Sequence, residues 1–439
     1  MAFSSYNPYH ECFTVVALYH IKAPRRTAEW RFVMKNQLLH TPEGVRDIYN
    51  LECERKLELQ NRLHSLIKTF GYQDIQTPTF EFMDIFNKER GSVLPKEMFK
   101  FIDREGNTLV LRPDITPSIA RCTAKYFMDE AMPIRLCYTG NSFINNSSYQ
   151  GRLKETTQLG CELVGDSTVS ADGEMIAVII QCMLAAGLSE FQVELGEVEF
   201  FKGLMEEAGI EDELAAQLQD LMEKKNFFGV EEILEEAGIE DAMKKRILQL
   251  QELFGSAEKL AEAKTLVNNE RSLRAVSRLE TIYEILSAYQ LENYVTFELG
   301  MLGKYKYYTG VIFKAYTYGT GELIVTGGRY DSLLEQFGKQ SPAIGFAINI
   351  DQLMIALSRQ KLLPEKKEEG ILVLYEENCR AEGIAFADSL RRQGMIAELI
   401  QKDKDIPVAS YEAYAKHLHR RELHFITELG TSVSVLTSV

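Results

Sequence analysis

The sequence predicts an α/β (α+β) protein with a mainly antiparallel sheet flanked by helices, a helical insertion and a small C-terminal α/β unit. Three observations support this prediction. Strand patterns separated by turn residues occupy much of residues 71–165, acidic helical patterns fill about 200–290, and a hairpin pattern returns at 307–326. The chain has 439 residues and 45% hydrophobic composition, which is enough for two or three domains with their own cores.

The first helix and strand are predicted to form a border of the main sheet. Apolar residues recur at three- and four-residue spacing over 52–70, which predicts an amphipathic helix that covers a sheet and ends at Gly71. The strand-like run 71–86 contains Pro78, and proline favours an edge or a bend. We therefore place this run at a border and expect it to contribute to a dimer interface.

The following elements are predicted from turn and cap residues. A hairpin is expected to turn at 104–107, before a helix that begins near Thr116 or Pro117. The repeated motif EEAGIED, at 206–212 and 235–241, predicts a glycine after one helix and acids at the start of the next. The remaining predictions are an antiparallel strand pair within 133–165, a helix over 171–187, a strand over 190–196, a strand and buried helix over 341–360, and a strand–helix–strand unit over 370–401.

One hairpin allows two interpretations. Two β-rich runs, 307–318 and 322–326, flank a Gly-Thr-Gly turn, and a glycine-flanked Arg-Tyr pair stands at the exit. On one interpretation, its aromatic residues pack on the face of a sheet. On the other, its glycines let the backbone approach a ligand closely.

The chain is predicted to have three parts. Residues 1–33 are interpreted as a non-native or disordered extension, with Met34 as the natural start. Residues 34–364 form the main core, and residues 365–439 form the small C-terminal unit. The tail beyond the last predicted strand is weakly patterned, and its histidines are interpreted as a solvated helix face.

Composition and residue placement exclude several classes of function. The formal net charge of −15 argues against a broad nucleic-acid-binding face. No apolar run approaches the roughly 18 residues that span a bilayer, and the seven cysteines contain no CxxC pair, so we expect a cytoplasmic protein with reduced thiols. No histidine lies between residues 65 and 416, which excludes a Ser-His-Asp or Cys-His mechanism and a His-rich metal site there.

Four short sequence motifs resemble those of a known family. They are LRPD at 111–114, QLGCE at 158–162, YYTG at 307–310 and GGRYD at 327–331. Together with the order of elements, they make residues 38–360 resemble the catalytic core of class II aminoacyl-tRNA synthetases, and most of all histidyl-tRNA synthetase. The resemblance implies a histidine-binding pocket formed by Asp114, Gln158, Glu162, Tyr308 and Tyr330.

The chemistry of these five residues suits histidine. Carboxylates accept hydrogen bonds from an ammonium group and an imidazole N–H, and tyrosines offer a ring face and a hydroxyl. The alternative interpretation is a structural polar network that binds no ligand.

The synthetase positions that contact ATP and the histidine carboxylate carry other residues here, namely Ile144, Asn146, Gly303 and Gln352. Arg152 remains, isolated in the sequence, and Lys304 or Lys306 is a candidate partner for a ligand carboxylate. Adenylate formation requires cations placed around a phosphate. The loss of these arginines therefore argues against tRNA charging.

A chain with the pocket but without the ATP arginines resembles the regulatory subunits of ATP phosphoribosyltransferase. That resemblance implies a subunit with no catalytic residues, metal or cofactor, which joins a short catalytic subunit in the first step of histidine biosynthesis and enables feedback by histidine. It also implies a homodimer through the core within a hetero-octamer, without tRNA or membrane. Two alternatives stay open, an active histidine–tRNA ligase and a binding module for another amino acid or RNA. Pyrophosphate exchange would reveal the first, and a ligand panel the second.

Overall fold

The computed structural model describes residues 39–86, 93–146, 152–302, 307–364 and 369–436. They form two compact units. The larger includes residues 56–355, and the smaller combines Asn50–Arg55 with the described residues from Ala356 onward. The smaller unit thus begins inside a helix, whereas the sequence predicts a boundary at 364. The predicted extension and the start at Met34 lie outside the described residues.

The larger unit contains twelve described strands: β1 Gln73–Asp74, β2 Phe80–Phe82, β3 Lys100–Ile102, β4 Thr108–Leu111, β5 Ile134–Phe143, β6 Glu155–Val164, β7 Phe191–Glu197, β8 Phe254–Gly255, β9 Val295–Glu298, β10 Val311–Thr317, β11 Val325–Arg329 and β12 Ala343–Asn349. Nine of them form one sheet in the order β1-β5-β6-β12-β11-β10-β7-β9-β8. Neighbours run antiparallel except β1 with β5 and β7 with β9, which confirms the predicted mainly antiparallel sheet.

The predicted border forms the edges of two sheets. Strand β1 is an edge of the large sheet, and the other three strands form a small sheet in the order β2-β4-β3. The β3–β4 hairpin turns where it is predicted, with Gly106 at φ +88°. Pro78 lies between β1 and β2, outside both strands, as the missing N–H of proline requires.

The helices up to residue 359 are α1 Asn50–Thr69, α2 Thr116–Tyr126, α3 Val169–Ala186, α4 Val198–Glu207, α5 Asp212–Glu223, α6 Phe227–Glu236, α7 Asp241–Leu248, α8 Glu258–Thr265, α9 Glu270–Ala288 and α10 Ile350–Arg359. Helix α1 buries Leu59, Leu63 and Ile67 on one face. Within the described chain, α3 is the one helix long and apolar enough to cross a membrane, so the prediction that no run approaches this length is wrong. It is 67% buried and packs against α9 and β12, as a core helix does.

The acidic insertion lies between β7 and β9 and contains α4 to α9. The repeated EEAGIED motif ends one helix and begins the next in both copies, as predicted. Gly209 and Gly238 adopt φ of +66° and +68° after α4 and α6, and the following helices begin at Asp212 and Asp241. Glycine tolerates this left-handed conformation, and the acids favour helix N-termini, so the repeat is helix-cap chemistry.

The β10–β11 hairpin is displaced from its predicted position. Residue 312 pairs with 328 and residue 315 with 325, so GGR belongs to strand β11 and does not follow the hairpin. Close packing explains the difference. A Cβ on Gly327 would lie 2.2 Å from the Phe313 ring, and one on Gly328 would lie 2.9 Å from the Tyr308 ring. These glycines are contact positions within a strand, not turn residues.

The smaller unit is an α/β fold formed by β13 Ile371–Tyr375, α11 Arg380–Arg392, β14 Ala397–Gln401, α12 Val408–His417, β15 Glu422–Thr427 and β16 Gly430–Val435. The first three elements confirm the predicted strand–helix–strand unit. The prediction of a solvated helix face for the tail histidines is wrong for His424, which lies on β15 with its ring 5.1 Å from that of Phe386. Pairing of β15 with β13 decides the outcome, because it buries Leu423 opposite Leu372.

Candidate functional site

Four neighbouring strands and the start of α2 bring the five predicted pocket residues together. Gln158 and Glu162 lie on β6 and face the same side of the sheet, because side chains alternate along a strand. Asp114 precedes α2, Tyr308 precedes β10 and Tyr330 follows β11. The cleft among them is lined by Asp114, Thr116, Gln158, Tyr307, Tyr308, Thr326, Gly327, Tyr330, Gly345, Phe346 and Ala347. Glu162 lies directly behind this lining.

Glu162 is a fully buried carboxyl held by two hydroxyl groups. The Thr116 hydroxyl donates to its Oε1 at 2.7 Å, and the Tyr330 hydroxyl donates to its Oε2 at 2.5 Å. Loss of hydration raises the pKa of Glu162 to about 8, although both hydrogen bonds act in the opposite direction and Asp114 adds a smaller raising effect. The carboxyl is therefore mostly protonated at neutral pH in the absence of a cationic neighbour.

Asp114 forms the second acidic position. Its Oδ2 accepts from the Tyr307 hydroxyl at 3.1 Å, and its Oδ1 accepts from the Thr116 backbone N–H at 3.3 Å. The Tyr307 ring meets those of Tyr308 and Tyr330 edge-to-face, at centroid distances of 5.0 and 6.0 Å. Three tyrosines thus enclose the space between the two carboxyl groups.

Sequence reasoning missed two residues of this site, Tyr307 and Thr116. Both belong to segments that the sequence singles out, since Tyr307 is the first tyrosine of YYTG and Thr116 follows Asp114 by two positions. Thr116 contacts both acids, through its hydroxyl and its backbone N–H. A search for hydroxyl donors beside each predicted carboxylate would have found it.

Gln158 supplies an unused hydrogen-bond acceptor. Its Oε1 is buried, and it has no hydrogen-bond partner among the described residues. A buried acceptor left unpaired costs about 1–3 kcal/mol. The geometry therefore favours a ligand that carries an N–H or O–H donor at this point.

Glycines on the central strands bring the backbone close to the pocket. A Cβ on Gly345 would lie 1.6 Å from Oε2 of Glu162, and a Cβ on Gly160 would lie 2.1 Å from the carbonyl oxygen of Phe346. The cleft itself has a volume of about 20 Å³ in this conformation, which is room for about one water molecule. Entry of an amino acid therefore requires movement of lining side chains, and Gln158 and Tyr308 are the two predicted ligands that are only half-buried.

The arginines of the LRPD and GGRYD motifs form hydrogen bonds to the segments around the pocket. Arg112 is buried and donates to the carbonyl oxygens of Thr77 and Asn141 at 2.9 and 2.8 Å. Arg329 is buried and donates twice to Asp172 of α3, at 2.5 and 2.9 Å. Both guanidinium groups are used inside the protein and position the strands next to the pocket.

The positions that differ from the synthetases are used for contacts within the chain. The Ile144 N–H donates to the carbonyl oxygen of Lys154 at 2.9 Å. The side chain of Gln352 accepts from the Thr320 hydroxyl at 2.8 Å. Gly303, Lys304 and Lys306 lie outside the described residues.

Arg152, isolated in the sequence, has a partner in the fold. Its Nε lies 3.0 Å from a carboxylate oxygen of Glu322, and both side chains are exposed. Exposed pairs of this kind contribute little to stability. The pair nevertheless places the Glu322 carboxylate next to Arg152, which is the one arginine of the sequence between residues 144 and 154.

The fold and the pocket define a protein of the histidyl-tRNA synthetase class, with a class II synthetase core. The histidyl-tRNA synthetase family model matches residues 44–353. An ATP phosphoribosyltransferase regulatory subunit from Acetivibrio thermocellus is 42% identical over 89% of this chain and 91% of the relative, and one from Ruminiclostridium cellulolyticum is 40% identical over 88% and 92%. The chain belongs to the family of ATP phosphoribosyltransferase regulatory subunits.

A solved structure agrees with this assignment. The crystal structure of an ATP phosphoribosyltransferase regulatory subunit/histidyl-tRNA synthetase from Bacillus halodurans has a TM-score of 0.78 and 33% identity, and the match covers 87% of this chain and 97% of that one. The resemblance to ATP phosphoribosyltransferase regulatory subunits, which the sequence motifs predict, is thereby confirmed. So is the predicted synthetase-like fold.

Proposed function

We propose that this chain is the non-catalytic regulatory subunit of ATP phosphoribosyltransferase, and that histidine bound among Asp114, Gln158, Glu162, Tyr308 and Tyr330 is its feedback effector. The names of the relatives support the regulatory role. The main support for a role of the pocket in histidine binding is a contrast between this pocket and the ATP positions. The five candidate pocket residues lie close together, with Asp114, Glu162 and Tyr330 buried, whereas the ATP positions carry Ile144 and Gln352 in place of arginine.

The pocket offers the groups that a histidine molecule needs. Asp114 and Glu162 can accept from an ammonium group or an imidazole N–H, and the Gln158 Oε1 is an unused acceptor. The rings of Tyr307, Tyr308 and Tyr330 can pack against an imidazole. A ligand with two separate N–H donor groups and a flat ring satisfies all of these features together.

Feedback follows from linkage between this pocket and the assembly with the short catalytic subunit. If histidine binds one state of the complex more tightly than another, it shifts the population by that difference in affinity. A coupling of about 1–3 kcal/mol, or roughly 5- to 150-fold, is ordinary for such regulation. The regulatory chain needs no catalytic group for this role.

The proposed assembly also includes a homodimer of this chain within a hetero-octamer in the cytoplasm. The small sheet supports the dimer, because one of its faces exposes three large apolar side chains: Phe80, Phe82 and Phe101. Exposed apolar groups clustered on one face of a sheet are typical of a protein–protein interface. Replacing Phe82 and Phe101 together with aspartate should therefore yield monomers by analytical ultracentrifugation.

The test is the phosphoribosyltransferase rate of the short catalytic subunit, with and without this chain, across a histidine titration. We expect activation by the chain together with new inhibition by histidine. Glu162→Ala should weaken the response to histidine while leaving co-elution of the two proteins intact, and Glu105→Ala, in an exposed turn, is the matched control. Unchanged inhibition in Glu162→Ala would contradict the assignment of this pocket.

A second assay separates the enzyme alternative. ATP- and histidine-dependent pyrophosphate exchange should be absent from the isolated chain. Exchange at a rate that depends on Glu162 would identify a ligase instead.

A further inference from the structure

Three secondary-structure elements bring a histidine, an aspartate and a cysteine together on one face of the large sheet. Asp74 and Cys137 are register partners in the parallel β1–β5 pair, so their side chains lie side by side. His64 lies on α1, which packs over this face. Because side chains alternate along β5, Cys137 points away from the neighbouring Tyr138, which belongs to the core cluster beside the histidine pocket.

Two of the three separations between the ligand atoms match those around a tetrahedral metal ion. The Cys137 Sγ lies 3.6 Å from Nε2 of His64 and 3.7 Å from Oδ1 of Asp74. With zinc bond lengths of about 2.3 Å to sulfur and about 2.0–2.2 Å to nitrogen or oxygen, tetrahedral ligand atoms lie roughly 3.3–3.6 Å apart. The third separation, from Nε2 of His64 to Oδ1 of Asp74, is 2.6 Å, a hydrogen-bonded distance. It has to widen by less than about 1 Å for a metal to enter.

The groups around the cluster leave its three ligand atoms facing one another. Lys68, one helical turn after His64, pairs with Oδ2 of Asp74 and thus holds the carboxylate while Oδ1 faces the cluster. Outer hydrogen bonds of this kind orient the ligands of metal sites. Cys137 is buried, whereas the side chains of His64 and Asp74 are 29% and 55% exposed, so the cluster is open to solvent on one side.

We propose that His64, Asp74 and Cys137 bind a divalent cation of the zinc class. The Cys137 thiol would lose its proton to solvent as the sulfur–metal bond forms, neutral His64 would donate the Nε2 lone pair, and Asp74 would bind through Oδ1. Thiolate and carboxylate together neutralise the two positive charges, and water takes the fourth position. The metal would fasten α1 to the edge strand β1, which pairs with β5 through only two residues.

The test uses the full-length chain, stripped with a chelator and titrated with Co²⁺. We expect one equivalent to bind, with thiolate-to-cobalt absorption in the near ultraviolet and visible bands of tetrahedral intensity, both removed by Zn²⁺. Cys137→Ser should abolish the ultraviolet absorption, and His64→Gln and Asp74→Asn should each weaken binding by about 100-fold or more. Cys53→Ser and Cys122→Ser are controls that should retain the wild-type titration.

Several results would overturn the proposal. One is a wild-type titration without thiolate absorption, and another is absorption that persists in Cys137→Ser. If Cys137→Ser fails to fold, the two variants at the partly exposed positions decide. Wild-type affinity in folded His64→Gln and Asp74→Asn would show that the cluster is an ion network with Lys68 and binds no metal.

Discussion

Replacing Glu162 with glutamine should change how the stability of the protein depends on pH. The carboxyl is buried behind the pocket, and loss of hydration raises its pKa from the usual 4.5 to about 8. The folded state therefore holds this proton more tightly than the unfolded state. The resulting stabilisation is fully present below about pH 4.5 and is lost as the pH rises toward 8. Glutamine has a similar shape and no proton to lose, so the variant lacks this loss.

The magnitude follows from the two pKa values. At about 1.4 kcal/mol for each pKa unit, the difference between 4.5 and about 8 corresponds to roughly 4–5 kcal/mol. Near pH 5 the variant and the wild type should differ by about 1 kcal/mol or less, because the folded wild-type carboxyl keeps its proton and little of the stabilisation has yet been lost. Near pH 8.5 the variant should be more stable by up to this amount in the absence of ligand.

Urea unfolding followed by far-ultraviolet circular dichroism, repeated from pH 5 to 8.5, measures the effect. The quantity to compare is the difference in unfolding free energy between variant and wild type at each pH. Glu105→Gln, in the exposed β3–β4 turn, is the control and should follow the wild-type profile. A difference for Glu162→Gln that stays constant across this range would refute the argument, because the carboxyl would then be ionised in the folded state.

Three further predictions concern the same region. Histidine binding at pH 7 should release close to one proton, because Glu162 with a pKa of about 8 ionises beside a cationic group; equal calorimetric heats in buffers of different ionisation enthalpy would contradict this. Gly345→Ala should lower the melting temperature and abolish the histidine response, since its Cβ would lie 1.6 Å from Glu162, whereas Gly321→Ala, with no atom within 4 Å, should behave as wild type in both assays. Asp172→Asn should cost about 3–5 kcal/mol in urea unfolding, because it removes the buried carboxylate that Arg278 and Arg329 share and leaves Arg329 only the partly exposed Asp331; a loss below about 1 kcal/mol would show that Asp331 and backbone carbonyls suffice for them.

Local rules predict much of this fold. Helix ends follow from Gly71, Gly187 and the glycine of the repeated EEAGIED motif, because only a residue without a side chain adopts the left-handed conformation at low cost. The antiparallel pairs follow from turn residues between strand patterns. The resemblance predicts that the five candidate pocket residues converge, and four of them, Asp114, Gln158, Tyr308 and Tyr330, line one cleft with Glu162 behind it.

The features that sequence reasoning missed depend on contacts between distant segments. The register of the β10–β11 hairpin is set by Gly327 against the Phe313 ring, and no local pattern contains this contact. The order of the tail is set by pairing of β15 with β13, about fifty positions earlier in the chain. The ion pair of Arg329 with Asp172 joins residues separated by 157 positions. Residue types alone do not reveal such partners.

The long separations between pocket residues also have a consequence for folding. The Tyr330–Glu162 hydrogen bond joins residues 168 positions apart, and the Tyr307–Asp114 bond joins residues 193 positions apart. Contacts of such high sequence separation form slowly, because the intervening chain must lose its freedom first. A nascent chain that has not yet reached β11 lacks half of the pocket. Bound histidine would therefore select chains whose folding is complete, and its addition during refolding should raise the final yield more than the initial rate.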